Sequence, residues 1–571
     1  MKNIFRALKK RQLKDIDYNR WLLISSILMV VGLLMALLIA PEVTQCVVKY
    51  MFTLMRGSYL RNQQRKVPYE FNVYVWNTTN PDEVIAGGKP KLQEVGPYKC
   101  RGFKTKQNMA DNDYDDTVSY DIYNEITFDE ADSSPLTGNE TFYNPHPFIM
   151  GIMAKIATEM PEMIHFIKKG VDMVFQNPTS PFIKLTAKEI IRDSFFVDCN
   201  VTDFSAKVLC SALANQDQID KVDGNPQILA SSLLYQMTAR KQGNYKVLRG
   251  LENVHDVGRI VEFNGLAELE TYDDDECNVI NGTDEMFFGP FMEWEDPVVS
   301  FDFQLCRSFN YNYDRDTKVK GHKTTRKILQ SFEPKNPKCF CNKYFPEKCL
   351  PKGAFDINQC WEAPVAASFP HFLDGPEYLE MFDGFSPNRE KHYNGYDFDL
   401  LTGVPIRSIR RFQMNFRVIP IPEFPPMSKM NVTPLYPNGW IEQILYTTSS
   451  EDKVIKRIHF WDIFLRVIGW LIFSFGILGA AISTLAILAR RVPITPEPKM
   501  QRQNTESELP HSAESETPDS ISTVEREDNE FELYNRVNLS RAENEVETTS
   551  NHDTAAATKE EEEEDEGIDG R

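Results

Sequence analysis

Two apolar runs free of charge set the limits on what this chain can become. Residues 21–40 and 467–489 contain no Asp, Glu, Lys or Arg, and each matches the roughly 20 residues that a helix needs to cross a bilayer core. Ahead of the first lie Lys2, Arg6, Lys9, Lys10, Arg11, Lys14 and Arg20 against Asp15 and Asp17, and Arg490 and Arg491 follow the second. Positive flanks stay in the cytosol. The expected layout is therefore a hairpin in the cell membrane: 1–20 a cytosolic tail, 21–40 and 467–489 the spans, 41–466 an extracellular domain and 490–571 a second cytosolic tail. A cleavable signal peptide is the competing reading of the first run. Its apolar region would be shorter, and Leu38-Ile39-Ala40 lacks the small residue such a cleavage site wants two positions before its end.

All ten cysteines fall within 41–466. On the oxidising side of a membrane they are expected to form disulfides. The formal net charge is −20, but residues 492–571 hold 23 Asp/Glu against seven Lys/Arg, a net −16. This tail is rich in Ser, Thr and Asn and poor in aromatics, so it reads as a disordered segment, with neither a nucleic-acid partner nor a metal site. Within it, Tyr534-Asn-Arg-Val537 has the form of a trafficking signal.

Between the spans, residues 43–55 stay apolar and are expected to carry the first helix outward. Phe71-Asn-Val-Tyr-Val-Trp76 alternates as a strand and ends at Asn77-Thr-Thr-Asn-Pro81. In 143–191, Ile149, Ile152, Met153, Ile156, Met160, Met163, Ile164 and Ile167 recur in steps of three or four. That period predicts one helix, or two meeting at Pro161, as the main helical region. From 246 onward, short aromatic and β-branched runs separated by turns such as Asp383-Gly384 and Asn394-Gly395 argue a large antiparallel sheet or barrel. No Gly/Ser- or Pro-rich linker interrupts 41–466, so one domain is expected. Cys199 and Cys210 are close enough to pair locally, worth roughly 2–4 kcal/mol. The six cysteines in 277–360 allow many pairings, and spacing does not choose among them.

Asn77, Asn139, Asn200, Asn281 and Asn431 each begin a glycosylation sequon in the external segment. No nucleophile elbow, zinc-protease motif, phosphate loop or dinucleotide fingerprint occurs, so neither an enzyme nor a cofactor is expected. Cys339, Cys341, Cys349 and Cys360 have spacing too irregular for a zinc site. Polar residues are few in the spans (Ser25, Ser26, Ser474, Ser483, Thr484), which argues against a pore. Small residues Gly32, Ala36 and Ala40, and Gly476, Gly479, Ala480 and Ser483, suit helix packing against the other span, a second copy or another receptor.

Several ordered stretches carry a resemblance. They are Asn80-Pro-Asp-Glu-Val-Ile-Ala-Gly-Gly-Lys-Pro-Lys-Leu-Gln-Glu-Val-Gly-Pro-Tyr98, Cys277-Asn-Val-Ile-Asn-Gly-Thr-Asp284 with Phe288-Gly-Pro-Phe291, Cys306-Arg-Ser308, and Ser368-Phe-Pro-His-Phe-Leu373 with Asp383-Gly-Phe-Ser-Pro-Asn388. Over about 72–416 the chain resembles the class B scavenger receptor family, and its Cys199 to Cys210 segment is most similar to the insect sensory neuron membrane proteins. The resemblance implies an α+β fold: a large twisted antiparallel β-barrel with a helical cluster at its membrane-distal tip and a tunnel inside, flanked by two transmembrane helices. It also implies the pairs Cys277–Cys339, Cys306–Cys360 and Cys341–Cys349, leaving Cys46 and Cys100 joined to each other or free. The implied ligands are lipidic, fatty-acid-derived odorants or pheromones, handed to the membrane or to an odorant receptor in insect olfaction. Met153, Met160 and Met163 would form a pliable apolar mouth, with Lys155, Lys168 and Lys169 drawing an anionic head group. The loop 175–183 lacks the basic residues that fatty-acid-binding relatives carry. The alternatives are a general scavenger of lipids, lipoproteins or particles, and a two-span channel subunit or adhesion receptor.

Overall fold

A computed structural model describes residues 17–215, 219–238, 240–332, 339–342, 344, 349–430 and 435–491. Asn431, Tyr534 and Val537, with most of both predicted tails, lie outside the described residues. Five helices matter for function: α1 (Tyr18–Phe52), α2 (Pro147–Glu159), α3 (Ile164–Val174), α4 (Phe204–Ala214) and α5 (Ser449–Arg491). α1 runs well past residue 40, through a π-helical stretch at Met35–Ile39. Its apolar run and that of α5 pack on each other. A Cβ added to Gly32 would stand 2.4 Å from the Phe473 nitrogen, one on Gly469 would stand 2.7 Å from that of Ala36, and one on Gly476 would stand 2.7 Å from that of Met29. Backbones this close require small residues at the contact. The partner of Gly32, Ala36 and Gly476 is thus the other span.

The strands are β1 (Lys66–Thr78), β2 (Leu92–Asn112), β3 (Thr117–Phe128), β4 (Thr141–Pro145), β5 (Phe182–Thr186), β6 (Phe195–Asp198), β7 (Asp220–Val222), β8 (Asn225–Ser231) and β9 (Lys241–Leu248). They continue with β10 (Ile260–Phe263), β11 (Val298–Asp302), β12 (Arg307–Val319), β13 (His322–Ile328), β14 (Ala354–Asp356), β15 (Val365–Ser368), β16 (Gly395–Asp399), β17 (Val404–Arg417) and β18 (Leu435–Tyr446). Thirteen of them form one sheet in the order β10-β9-β3-β2-β1-β18-β17-β16-β13-β12-β11, with β15 also on β17 and β14 on β15. Every pairing in it is antiparallel. β4 pairs with β5, and β6, β8 and β7 make a small third sheet. The predicted helical region 143–191 is therefore helical only in part: residues 182–186 are strand, held by β4.

The expected barrel is not closed by paired strands, because β10 and β11 do not pair with each other. Their gap is stitched by two residues of the Asn281-Gly-Thr-Asp284 motif. Gly282 accepts from the Ile260 nitrogen at 2.9 Å, while Thr283 donates to Val299 at 3.2 Å and accepts from the Phe301 nitrogen at 2.9 Å. Gly282 has φ +87°, and a Cβ there would fall 2.2 Å from the Val299 carbonyl oxygen, so only glycine fits.

Four disulfides join Cys199 to Cys210, Cys277 to Cys339, Cys306 to Cys360 and Cys341 to Cys349. Cys46 and Cys100 are unpaired, one exposed and one buried.

Candidate functional site

α2 starts where a proline and a cap coincide. Pro147 occupies the first turn and the His146 Nδ1 accepts from the Ile149 nitrogen at 3.3 Å, satisfying one of the donors a helix start leaves open. Burial pushes the His146 imidazole down to about 3, so it stays neutral and keeps this acceptor. The helix stops at Met160, before Pro161. α3 then lies against α4, with Gly170 so near Ser205 that a Cβ would sit 2.7 Å from its carbonyl oxygen. The Cys199–Cys210 bridge ties α4 to the end of β6.

Between these helices and the sheet is a cavity of about 830 Å³. Phe148, Ile152 and Ile156 of α2, Ile167 of α3, and Leu209 and Leu213 of α4 form one wall. Val73 of β1, Phe412, Met414 and Phe416 of β17, and Trp440 of β18 form another. The Cys306–Cys360 bridge and Trp361 complete the lining. Tyr74 stacks on Trp440 with ring centroids 3.6 Å apart, holding that wall flat. Polar groups are sparse: the Lys155 Nζ donates to the Glu362 carbonyl at 2.8 Å, and Lys241 pairs with Asp121 at 2.8 Å. The Trp440 Nε1 and Gln304 Oε1 are buried without a hydrogen-bond partner.

Of the six residues expected at a lipid mouth, Lys155 and Met160 line this cavity. Met153 is fully buried in the core cluster shared by α2–α4 and the sheet. Met163 is partly exposed, outside the lining. Lys168 pairs with Asp172 at 2.5 Å and Lys169 with Asp203 at 2.6 Å, and neither lines the cavity. The sheet walls and α4 were missed. β17 alternates apolar and polar residues over Phe412-Gln-Met-Asn-Phe-Arg417, the signal that could have marked its inner face. Among the sequons, Asn139, Asn200 and Asn281 are exposed. Asn77 is half-buried, its Oδ1 accepting from the Tyr143 nitrogen at 3.0 Å.

Comparison with known proteins places this geometry. The chain is 33% identical to sensory neuron membrane protein 1 of Apis mellifera over 443 residues, covering 76% of this chain and 84% of that protein. It is 32% identical to sensory neuron membrane protein 1 of Manduca sexta over 460 residues, 79% and 87% of the two chains. With the protein of the same description from Aedes aegypti it shares 31% over 436 residues, 75% and 80%. The CD36 family matches residues 23–487, from the first apolar run to the second with the whole sheet between. The chain belongs to the CD36 family, the class B scavenger receptors.

Proposed function

We propose that this membrane receptor binds lipidic ligands in the cavity between α2–α4 and the sheet, and delivers them through the interior of its domain toward the membrane or a partner receptor. Residues 41–466 lie outside the cell and both tails inside, as the basic flanks of the two spans require. The carrying observation is the cavity itself. Its volume of about 830 Å³ and largely apolar walls suit a flexible hydrocarbon chain, and fall within the roughly 300–1,000 Å³ of small-molecule sites. Each methylene buried there contributes about 0.8 kcal/mol, so affinity needs little specific chemistry. The likeness to sensory neuron membrane proteins supports fatty-acid-derived odorants or pheromones as ligands and an odorant receptor as recipient, in insect olfaction.

The test is a filled cavity. Met414→Trp, with a larger side chain on the cavity wall, should abolish saturable binding of a long-chain fatty alcohol to the full-length protein without reducing its surface expression. Unchanged binding would move the ligand site elsewhere. Co-expression with an odorant receptor separates the roles: a response faster or more sensitive than the receptor alone supports delivery, and current from this protein alone would support a channel.

A further inference from the structure

Along the inward face of β17, residues alternate with those turned outward, and a polar stretch interrupts an otherwise apolar series. Phe416, Met414 and Phe412 line the cavity. Arg410 and Ser408 come next, and Ile406 and Val404 then join a separate apolar cluster that also holds Val48 and Phe52 of α1 and Ile455 and Ile458 of α5. A charged position thus separates the cavity from the half of the interior next to the membrane helices.

Arg410 is not alone there. Its Nε donates to the Asp302 carboxylate at 2.6 Å and stands 3.7 Å from Glu285. Glu285 is 3.6 Å from Lys104. The neighbouring Asp284 accepts from the Lys106 Nζ at 2.6 Å and from the Tyr120 hydroxyl at 2.7 Å, and the Lys106 and Asp284 side chains are both fully buried. Lys106 also lies 3.2 Å from the Phe287 ring centroid. These groups come from β2, from the residues after the stitched gap, from the end of β11 and from β17. In the sheet β17 is three strands from β2 and four from β11. Ion pairs between strands that are not neighbours in a curled sheet have to run through its interior. Three cations face three carboxylates, a charge-balanced layer in which breaking one pair strands its partner in a low-dielectric interior.

We propose that Lys104, Lys106, Asp284, Glu285, Asp302 and Arg410 form a closed septum across the interior, which stops a bound lipid at Phe412 and must part before any ligand reaches the membrane-side half. This rests on the lipid reading of the cavity. It makes the septum a determinant of ligand length as well as a gate: an apolar chain gains nothing by entering a layer of paired charges, and hydrocarbon inserted there would cost those ion pairs.

The test uses the full-length protein in lipid nanodiscs and a long-chain fatty acid with a photoreactive diazirine near its methyl end, followed by mapping of labelled residues along β17. The strand serves as its own control, because its positions lie on both sides of the septum. Labelling at Phe412, Met414 or Phe416 with none at Val404 or Ile406 is expected. The combined change Lys104→Met, Glu285→Gln, Asp302→Leu and Arg410→Met removes two cations and two carboxylates together and should extend labelling to Ile406. Labelling of Val404 or Ile406 in the unmodified protein overturns the septum, as does a correctly folded fourfold variant whose labelling still ends at Phe412. If the variant does not reach the surface, the pattern in the unmodified protein decides. No labelling anywhere overturns the lipid reading itself, and the gate with it.

Discussion

At the scale of single residues, the Asn281-Gly-Thr-Asp284 motif joins two jobs in adjacent positions. Gly282 lets two backbones meet at the gap in the sheet, and Asp284 anchors a lysine 178 residues away. Gly282→Ala should destabilise the sheet-bearing domain by about 3 kcal/mol, through a left-handed backbone combined with a clash against Val299; the thermal midpoint and the expression yield report it. The motif was legible in the sequence, but its purpose was not, because both partners are remote along the chain. His146 gives a pH prediction. Its folded pKa is depressed from 6.5 to about 3 by burial. Between those values only the unfolded chain takes up the proton, so stability from this group is present above 6.5 and falls as pH drops, by about 1.4 kcal/mol per unit. His146→Asn keeps a capping acceptor and should flatten that part of a stability-against-pH curve; an unchanged slope would assign the acid sensitivity to other groups.

At the scale of elements, what the sequence revealed depended on how long a period each element sustains. α2 and α3 show their apolar step of three or four over several turns, although α2 has no exposed position, and Pro161 marks their junction. β5 sits in the same stretch but is only five residues long, too short to break the period that Ile149 to Ile167 impose. β17 does alternate over Phe412-Gln-Met-Asn-Phe-Arg417, but what lies opposite Phe412, Met414 and Phe416 is set by elements remote along the chain and could not be read beforehand. α4 is short and owes its place to a covalent tie, which yields a local prediction. Replacing Cys199 and Cys210 together by Ser should cost roughly 2–4 kcal/mol. The loss should appear as faster amide exchange in α4 and at its contact with Gly170, with the sheet unaffected. Equal loosening of β1 and β18 would show instead that the bridge supports the whole domain.

At the scale of the whole molecule, the described residues join two long apolar helices to a 13-stranded antiparallel sheet and two small ones, and small residues stand where the two helices touch. Gly32→Leu should separate α1 from α5, because the Phe473 backbone already occupies the space a side chain would need; cross-linking between cysteines placed at Thr44 and Asp462, whose side chains meet at 2.8 Å, should fall sharply. The resemblance implied a tunnel inside the sheet, but the residues named for the lipid site were all on the helices, since sequence spacing cannot show which strands lie opposite them. The central claim is that this cavity holds hydrocarbon in proportion to its length, up to the septum. It is tested most directly by titrating full-length protein with a series of straight-chain alcohols of increasing length. The account predicts that affinity rises by about 0.8 kcal/mol, close to fourfold, for each added methylene, and then levels off once the chain reaches Phe412. An affinity independent of chain length, or one that keeps rising without a plateau, would contradict it.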